Sequence, residues 1–306
     1  MLADRITRMS NGRLKVTTYP AGEVAGAFEV FDAVAEGTAQ MGHSCAGFWR
    51  GKHAAMPFFG AIPFGLNAQE MSAWLLHGGG IELWRELYEG FALYPIPAGN
   101  SGMQAGAWSR RPIRNLRDLQ RLKMRIVGLG AEVLARAGGK PSTLNGSEIK
   151  SAMEDGRIDA FEWMGPAHDL ELGAHQMARY YHFPSWQEPS TQLELIINQD
   201  AWQQLPEDLR TVVDCAARSV NEDTLALATV QNMNALAVIG TGNGVEIRRL
   251  PADAINALQH ASDQVLAELG QSNELTSRIY ESYTDFRSQA QQWHRVSEAD
   301  YYLARD

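Results

Sequence analysis

Only two cysteines, Cys45 and Cys215, occur in the 306 residues, and neither belongs to a CxxC or a metal-type spacing. A thiol-ligated metal centre has no support and a disulfide little; both cysteines read as small buried hydrophobes. Basic residues are in the minority, with 27 Lys and Arg against 36 Asp and Glu, a formal net charge of −9. That balance argues against a nucleic-acid partner, whose affinity is carried by Lys and Arg. Long apolar runs are missing too: stretches such as 225–228 and 235–239 fall far short of the roughly 20 residues a membrane span needs. HExxH and GxSxG do not occur, so zincin and serine-hydrolase chemistry have no anchor. The opening MLADRITRMSNGRL is charged and amphipathic, without the apolar core or small-residue cleavage site of an export signal.

What is present is a core-forming chain. Hydrophobic residues make up 45%, enough for one large domain or two of ordinary size. The segment 2–9 reads as a helix stopped by Ser-Asn-Gly, and 13–19 (RLKVTTY) alternates as a strand. Helix 27–36 and strand 39–43 repeat that unit, followed by helices at 69–77 and 81–88 and strands at 92–96 and 103–109. A second set begins with strand 123–127, helix 131–137, strand 141–144, helix 148–155 and strand 157–161. The run LELIIN (193–198) is a further apolar strand, 208–234 a long helix and 245–250 a last strand, and helices at 252–269 and 276–294 close the chain. Such alternation predicts an α/β protein with a largely parallel sheet. No repeat or flexible linker separates the two sets, so two lobes would be joined by crossing strands.

Several residues suggest chemistry beside a plainer reading. KMRIVGLGAEVLARAGG resembles a dinucleotide fingerprint, with Gly128 and Gly130 in place, but Val133 stands at the third glycine. Arg125 leaves a strand just before that turn. It is either part of a solvated strand face or a guanidinium at the carboxyl edge of a sheet, ready to pair with a carboxylate. The aromatic pieces AGFWRGK, with Phe48 and Trp49, and MPFFGAIPFG read as core and turn or as cleft lining. Glu162 with Trp163 in IDAFEWMGP, and Glu188 in WQEPS, are loop acids unless the fold unites them into an oxygen-rich cation site.

Taken together, SNGRLKVTTYPAGEVAGAFEVFDAVAEGTAQMGHS, PAGNSGMQAGAW, LKMRIVGLGAEVLARAGG, IDAFEWMGP and WQEPSTQLELIIN resemble the extracytoplasmic solute receptors of TRAP transporters, in the subgroup for 2-oxo and 2-hydroxy carboxylates. The similarity spans nearly the whole chain. It implies a non-catalytic periplasmic receptor of two lobes that close on a ligand by a hinge, with long C-terminal helices and a membrane permease as partner. The expected bounds are 1–98 for the first lobe, 99–197 for the second, 198–250 for a return to the first and 251–306 for the C-terminal helices. Those helices resemble an extension that pairs two chains in some members; they either pack on their own lobes or form a homodimer.

Carried over by residue, Arg125 matches the arginine that binds the ligand carboxylate. Gln104, Glu162, Trp163 through its carbonyl, and Glu188 match positions that hold Na⁺ or Ca²⁺ against the ligand. Phe48 and Trp49 follow Gly47 where an aromatic pair with tyrosine hydroxyls is expected, which favours a bulkier or more apolar acid than the smallest keto acids. The resemblance also leads one to expect a missing first strand beside residues 13–19, and weaker binding for that reason. Two other readings stand beside this one: an NAD-dependent or metal-assisted enzyme on a small organic acid, and a paralogue that no longer binds.

Overall fold

Helices and nine strands alternate along the computed structural model of the chain, which describes residues 1–241 and 244–305. The strands are β1 (Met41–Ser44), β2 (Leu93–Asn100), β3 (Ala107–Ser109), β4 (Lys123–Arg125), β5 (Lys140–Ser142), β6 (Ala160–Phe161), β7 (Tyr180–Phe183), β8 (Gln192–Asn198) and β9 (Glu246–Arg249). They form two sheets. The smaller has the order β1-β8-β2 and is antiparallel throughout. The larger has the order β5-β4-β6-β3-β7-β9. Within it β4 runs parallel to β5 and β6, and β7 to β9, whereas β3 is antiparallel to β6 and β7. The class is α/β as expected, but neither sheet is largely parallel: the small one is antiparallel and the large one mixed, with β3 running against both its neighbours.

Two crossings make that exchange. The chain leaves the small sheet at the end of β2 and enters the large one at β3, then leaves at the end of β7 and returns at β8. The helix Glu207–Gly240 is a third connection: its first half packs on β2 and its second half on the helix Pro166–Leu172. Val213, Ala216 and Ala217 are buried with Ile96, Leu195 and Ile197, while Ile239, near its end, joins the core of Trp108, Phe161 and Tyr181. Its apolar stripe therefore serves both sheets in turn. The strand β8, within the bounds expected for the second lobe (99–197) but for its last residue, is central in the small sheet, and β9, within the stretch expected to return to the first (198–250), lies at the edge of the large one.

Other expectations shift in detail. Residues 13–19 form no strand: Leu14 and Val16 still pack against the Ile6 cluster, but alternation makes a strand only where a neighbour supplies a hydrogen-bonded ladder. The strand expected at 103–109 is confined to β3, and that at 157–161 to β6, since the flanking residues bond across loops instead. Helix 27–36 shrinks to Val30–Ala35, and helix 148–155 to a 3₁₀ turn followed by Ile149–Glu154. The long helix runs beyond 208–234 because its interior contains neither Gly nor Pro. Cys45 is buried, but Cys215 is exposed and both are free.

The helix Glu274–Val296 packs on its own chain. Tyr283 is fully buried and accepts the Leu66 N–H at 2.7 Å, Trp74 Nε1 donates to Ser282 at 3.1 Å, and Arg278 forks onto Glu86. The last helix, Glu298–Arg305, buries none of its residues. Among the described residues no helix is long and apolar enough to cross a membrane.

Candidate functional site

The four segments carrying Arg125, Glu162, Gln104 and Glu188 meet where the two sheets exchange chain. Arg125 ends β4, which lies parallel to β6 with Arg125 opposite Phe161, so Glu162 emerges directly beside the guanidinium. Glu162 N–H donates to the Arg125 carbonyl at 3.1 Å. The guanidinium in turn donates through Nη1 to the Glu162 carboxylate (2.6 Å) and carbonyl (3.1 Å), and through Nε to the Leu144 carbonyl (3.0 Å). Arg125 is 7% exposed, and its Nη2 has no hydrogen-bond partner among the described residues.

Trp163 lies over the guanidinium, whose carbon is 5.5 Å from the ring centroid, a cation–π geometry that orients both groups. The ring fits because residue 146 is glycine: a Cβ there would stand 2.5 Å from the indole.

Gln104 and Glu188 come from the two crossings. Thr191 links them, accepting from Gln104 Nε2 at 2.8 Å and donating to Glu188 Oε2 at 2.9 Å. Gln104 Nε2 also approaches Ser101 Oγ (3.3 Å) and Glu188 Oε2 (3.4 Å). The other end of that amide, Oε1, is buried and receives no donor among the described residues. Glu162 is a buried acid and Glu188 a half-buried one, and both are pushed up. Burial raises Glu162 to about 8 against the pull of Arg125, with Glu188 adding to the rise. Burial raises Glu188 against its bonds to Thr191 and Gln104. The site thus holds one buried and one half-buried carboxyl group for one guanidinium, plus an amide oxygen without a donor among the described residues.

Such oxygens suit a hard cation. No group of three or more His, Cys, Asp or Glu gathers among the described residues, so a cation here would draw on two carboxylates and neutral oxygens.

Phe48 and Trp49 sit in the 3₁₀ turn Ala46–Trp49, their rings edge-on with centroids 6.2 Å apart. Phe48 is 57% exposed and meets Phe28 edge-on at 5.5 Å. Trp49 is buried, and its indole N–H donates to Glu194 at 2.7 Å, whose other oxygen accepts from Tyr88 at 2.7 Å. The structure therefore brings Arg125, Glu162 and Trp163 together, and Gln104 with Glu188, while the Trp49 side chain faces the small-sheet core. Arg50, the next residue, pairs at 2.7 Å with Glu132 on the helix that follows Arg125.

Sequence reading missed Thr191, although its hydroxyl three residues after Glu188 is a signal within the quoted motif. It also missed Glu194, an acid inside an apolar strand. The dinucleotide resemblance ends in packing: Val133 is fully buried.

Two sheets joined by crossing segments, with the polar residues of the crossings gathered at the junction, are the frame this chain shares with solved solute-binding receptors. The profile of the bacterial extracellular solute-binding proteins, family 7, matches residues 1–273, and the chain belongs to that family. It is 36% identical over 300 residues, 98% of this chain and 82% of the relative, to a monocarboxylate 2-oxoacid-binding periplasmic protein of Nostoc. A TRAP periplasmic solute-binding protein from Pseudoalteromonas atlantica, solved with sodium and pyruvate, superposes with a TM-score of 0.91 at 37% identity, covering 99% of this chain and 92% of that one. Its counterpart from Colwellia psychrerythraea, solved with calcium and pyruvate, gives 0.93 at 35% identity over the same shares.

Proposed function

We propose that this chain is the periplasmic receptor of a TRAP-type transporter and binds a 2-oxo or 2-hydroxy monocarboxylate together with Na⁺ or Ca²⁺. The observation that carries this reading is the Gln104 amide, whose Nε2 faces Thr191 and Glu188 while its buried Oε1 receives no donor among the described residues. A buried amide oxygen costs free energy when left without a donor or a cation, and excess buried negative charge costs more. Gln104, Glu162, Glu188 and the Trp163 carbonyl would hold the cation, which supplies positive charge for the oxygen next to the ligand carboxylate. Arg125 contributes Nη2 to that carboxylate, and the Trp163 ring forms one wall. A bound cation would favour the ionised form of Glu162; with both carboxylates ionised, they and the guanidinium sum to −1, which Ca²⁺ and a monocarboxylate bring to zero and Na⁺ leaves at −1. Phe48 lines the outer side and favours an acid with an apolar substituent.

The two sheets with their helices act as two lobes, hinged at the crossings and at the helix Glu207–Gly240. Closure on the ligand is what the membrane subunits of the transporter recognise, since only contacts from both lobes stabilise one state over the other. The relatives solved with pyruvate and a cation support the ligand class.

Calorimetry of the purified chain with pyruvate and 2-oxobutyrate, in Na⁺, in Ca²⁺ and after chelation, tests it. Binding is expected only with a cation, and Arg125→Ala should abolish it while Arg125→Lys retains a fraction. Heat from neither acid in any cation, or undiminished binding by Arg125→Ala, overturns the reading.

A further inference from the structure

One run of hydrogen bonds passes directly behind the site and touches three of its segments. Asp169, fully buried on the helix Pro166–Leu172, accepts the Met164 N–H at 3.0 Å. The Met164 carbonyl accepts the Ala105 N–H at 3.0 Å. The Ala105 carbonyl accepts from Gln187 Nε2 at 2.7 Å. Each backbone link is one residue away from a site residue: Met164 follows Trp163, Ala105 follows Gln104, and Gln187 precedes Glu188.

Neither sheet needs this run for its own ladder, since all three links lie outside the strand pairings of either sheet. What it fixes is the spacing between the two crossings and the end of β6. The far end is anchored firmly. Asp169 Oδ2 also accepts from Trp108 Nε1 (2.8 Å) and Tyr181 OH (2.7 Å), whose rings stack at 3.9 Å in the core of the large sheet. The near end is less economical. Gln187 is 2% exposed and its Oε1 is buried without a donor. An apolar residue of the same size would avoid that cost, so the amide is held for what its N–H does.

We infer that Asp169 and Gln187 are positioning residues that set the distance between the segments bearing Gln104, Glu162–Trp163 and Glu188, and so select the cation and ligand that the site accepts. The inference rests on the proposed cation and carboxylate site. Partners bonded directly to metal-holding groups typically contribute roughly 10- to 100-fold in metal affinity; Asp169 and Gln187 act one residue further back, through the backbone, so their effect falls toward the lower end.

Gln187→Leu removes one end of the run and its orphaned oxygen together. The unliganded variant should melt within a few degrees of the parent, yet bind pyruvate and Ca²⁺ up to about 10-fold more weakly, with an altered preference between Ca²⁺ and Na⁺. Asp169→Asn places an NH₂ against either the Met164 N–H or the two aromatic donors. Amide exchange at Met164 and Ala105 should then quicken in the absence of ligand and cation. Parental affinity and cation preference in Gln187→Leu, or parental exchange at those amides in Asp169→Asn, overturns the inference. If the parent chain itself binds no 2-oxo acid, the transport reading fails, and the exchange rates alone decide whether the run fixes the spacing.

Discussion

Glu194 is a carboxylate in an unusual place, in the central strand of the small sheet with no water contact and both oxygens taken by Trp49 and Tyr88. Burial pushes it up from 4.5 to about 7 despite those two bonds. A raised carboxylate holds its proton in the folded state after the unfolded chain has lost it. Stability from this group therefore falls as pH rises from about 4.5 to about 7 and levels off above. Glu194→Gln should remove that fall, apart from a constant offset for one lost hydrogen bond of about 1 kcal/mol. Urea melts of both proteins between those pH values check it, and parallel stability curves would show that Glu194 does not titrate there. The residue was illegible in the sequence because LELIIN reads as apolar strand, and the strand's two covered faces leave nowhere for the acid to reach water. Arg125 and Glu162 could be placed at strand ends, but only the parallel pairing of β4 with β6 sets them side by side.

Among the elements, the 3₁₀ turn at Gly146–Glu148 shows how one missing side chain shapes the site. The backbone at Gly146 has no left-handed φ, so alanine is conformationally acceptable there. The obstacle is the Trp163 ring, 2.5 Å from where the Cβ would be. Gly146→Ala should cost about 1–3 kcal/mol if the ring stays, as overpacking does. If the ring turns away, the cost drops but the indole leaves the guanidinium. Either way ligand affinity should fall, and a displaced ring should change tryptophan emission; unchanged affinity and emission would show that the ring is free to adjust in place. The same scale explains what alternation could reveal. Helices with a continuous apolar stripe, such as Ala252–Gly270, were legible to within a residue. Residues 13–19 alternate just as well, yet a strand is a relation between two segments, and no neighbour ladder forms there. Assignment of β8 and β9 to sheets was hidden for a related reason: the pattern marks a strand, but crossings decide which sheet it joins.

At the scale of the whole molecule, the Arg50–Glu132 pair is the contact through which the proposed closure can be tested. Arg50 follows the turn bearing Phe48 on the small-sheet side, and Glu132 lies on the helix opened by Gly128, just past Arg125 on the large-sheet side. Their side chains are 37% and 39% exposed, so the pair is solvent-screened and contributes at most about 1 kcal/mol. That is too little to govern unfolding. It is enough to bias a hinge, because about 1 kcal/mol changes an equilibrium roughly fivefold. If the proposed closure brings these two residues together, the pair stabilises only the closed, liganded state and slows ligand escape. Arg50→Ala should therefore leave the melting temperature of the unliganded protein nearly unchanged while raising the ligand off-rate by up to about fivefold. Added salt should do the same to the parent protein and have little further effect on the variant, since screening already removes what the substitution removes. Stopped-flow tryptophan fluorescence at low and high ionic strength separates the cases. Equal off-rates in parent and variant, or identical salt dependence, would place the pair outside the closing movement and leave the hinge to be set by the crossings and the long helix alone.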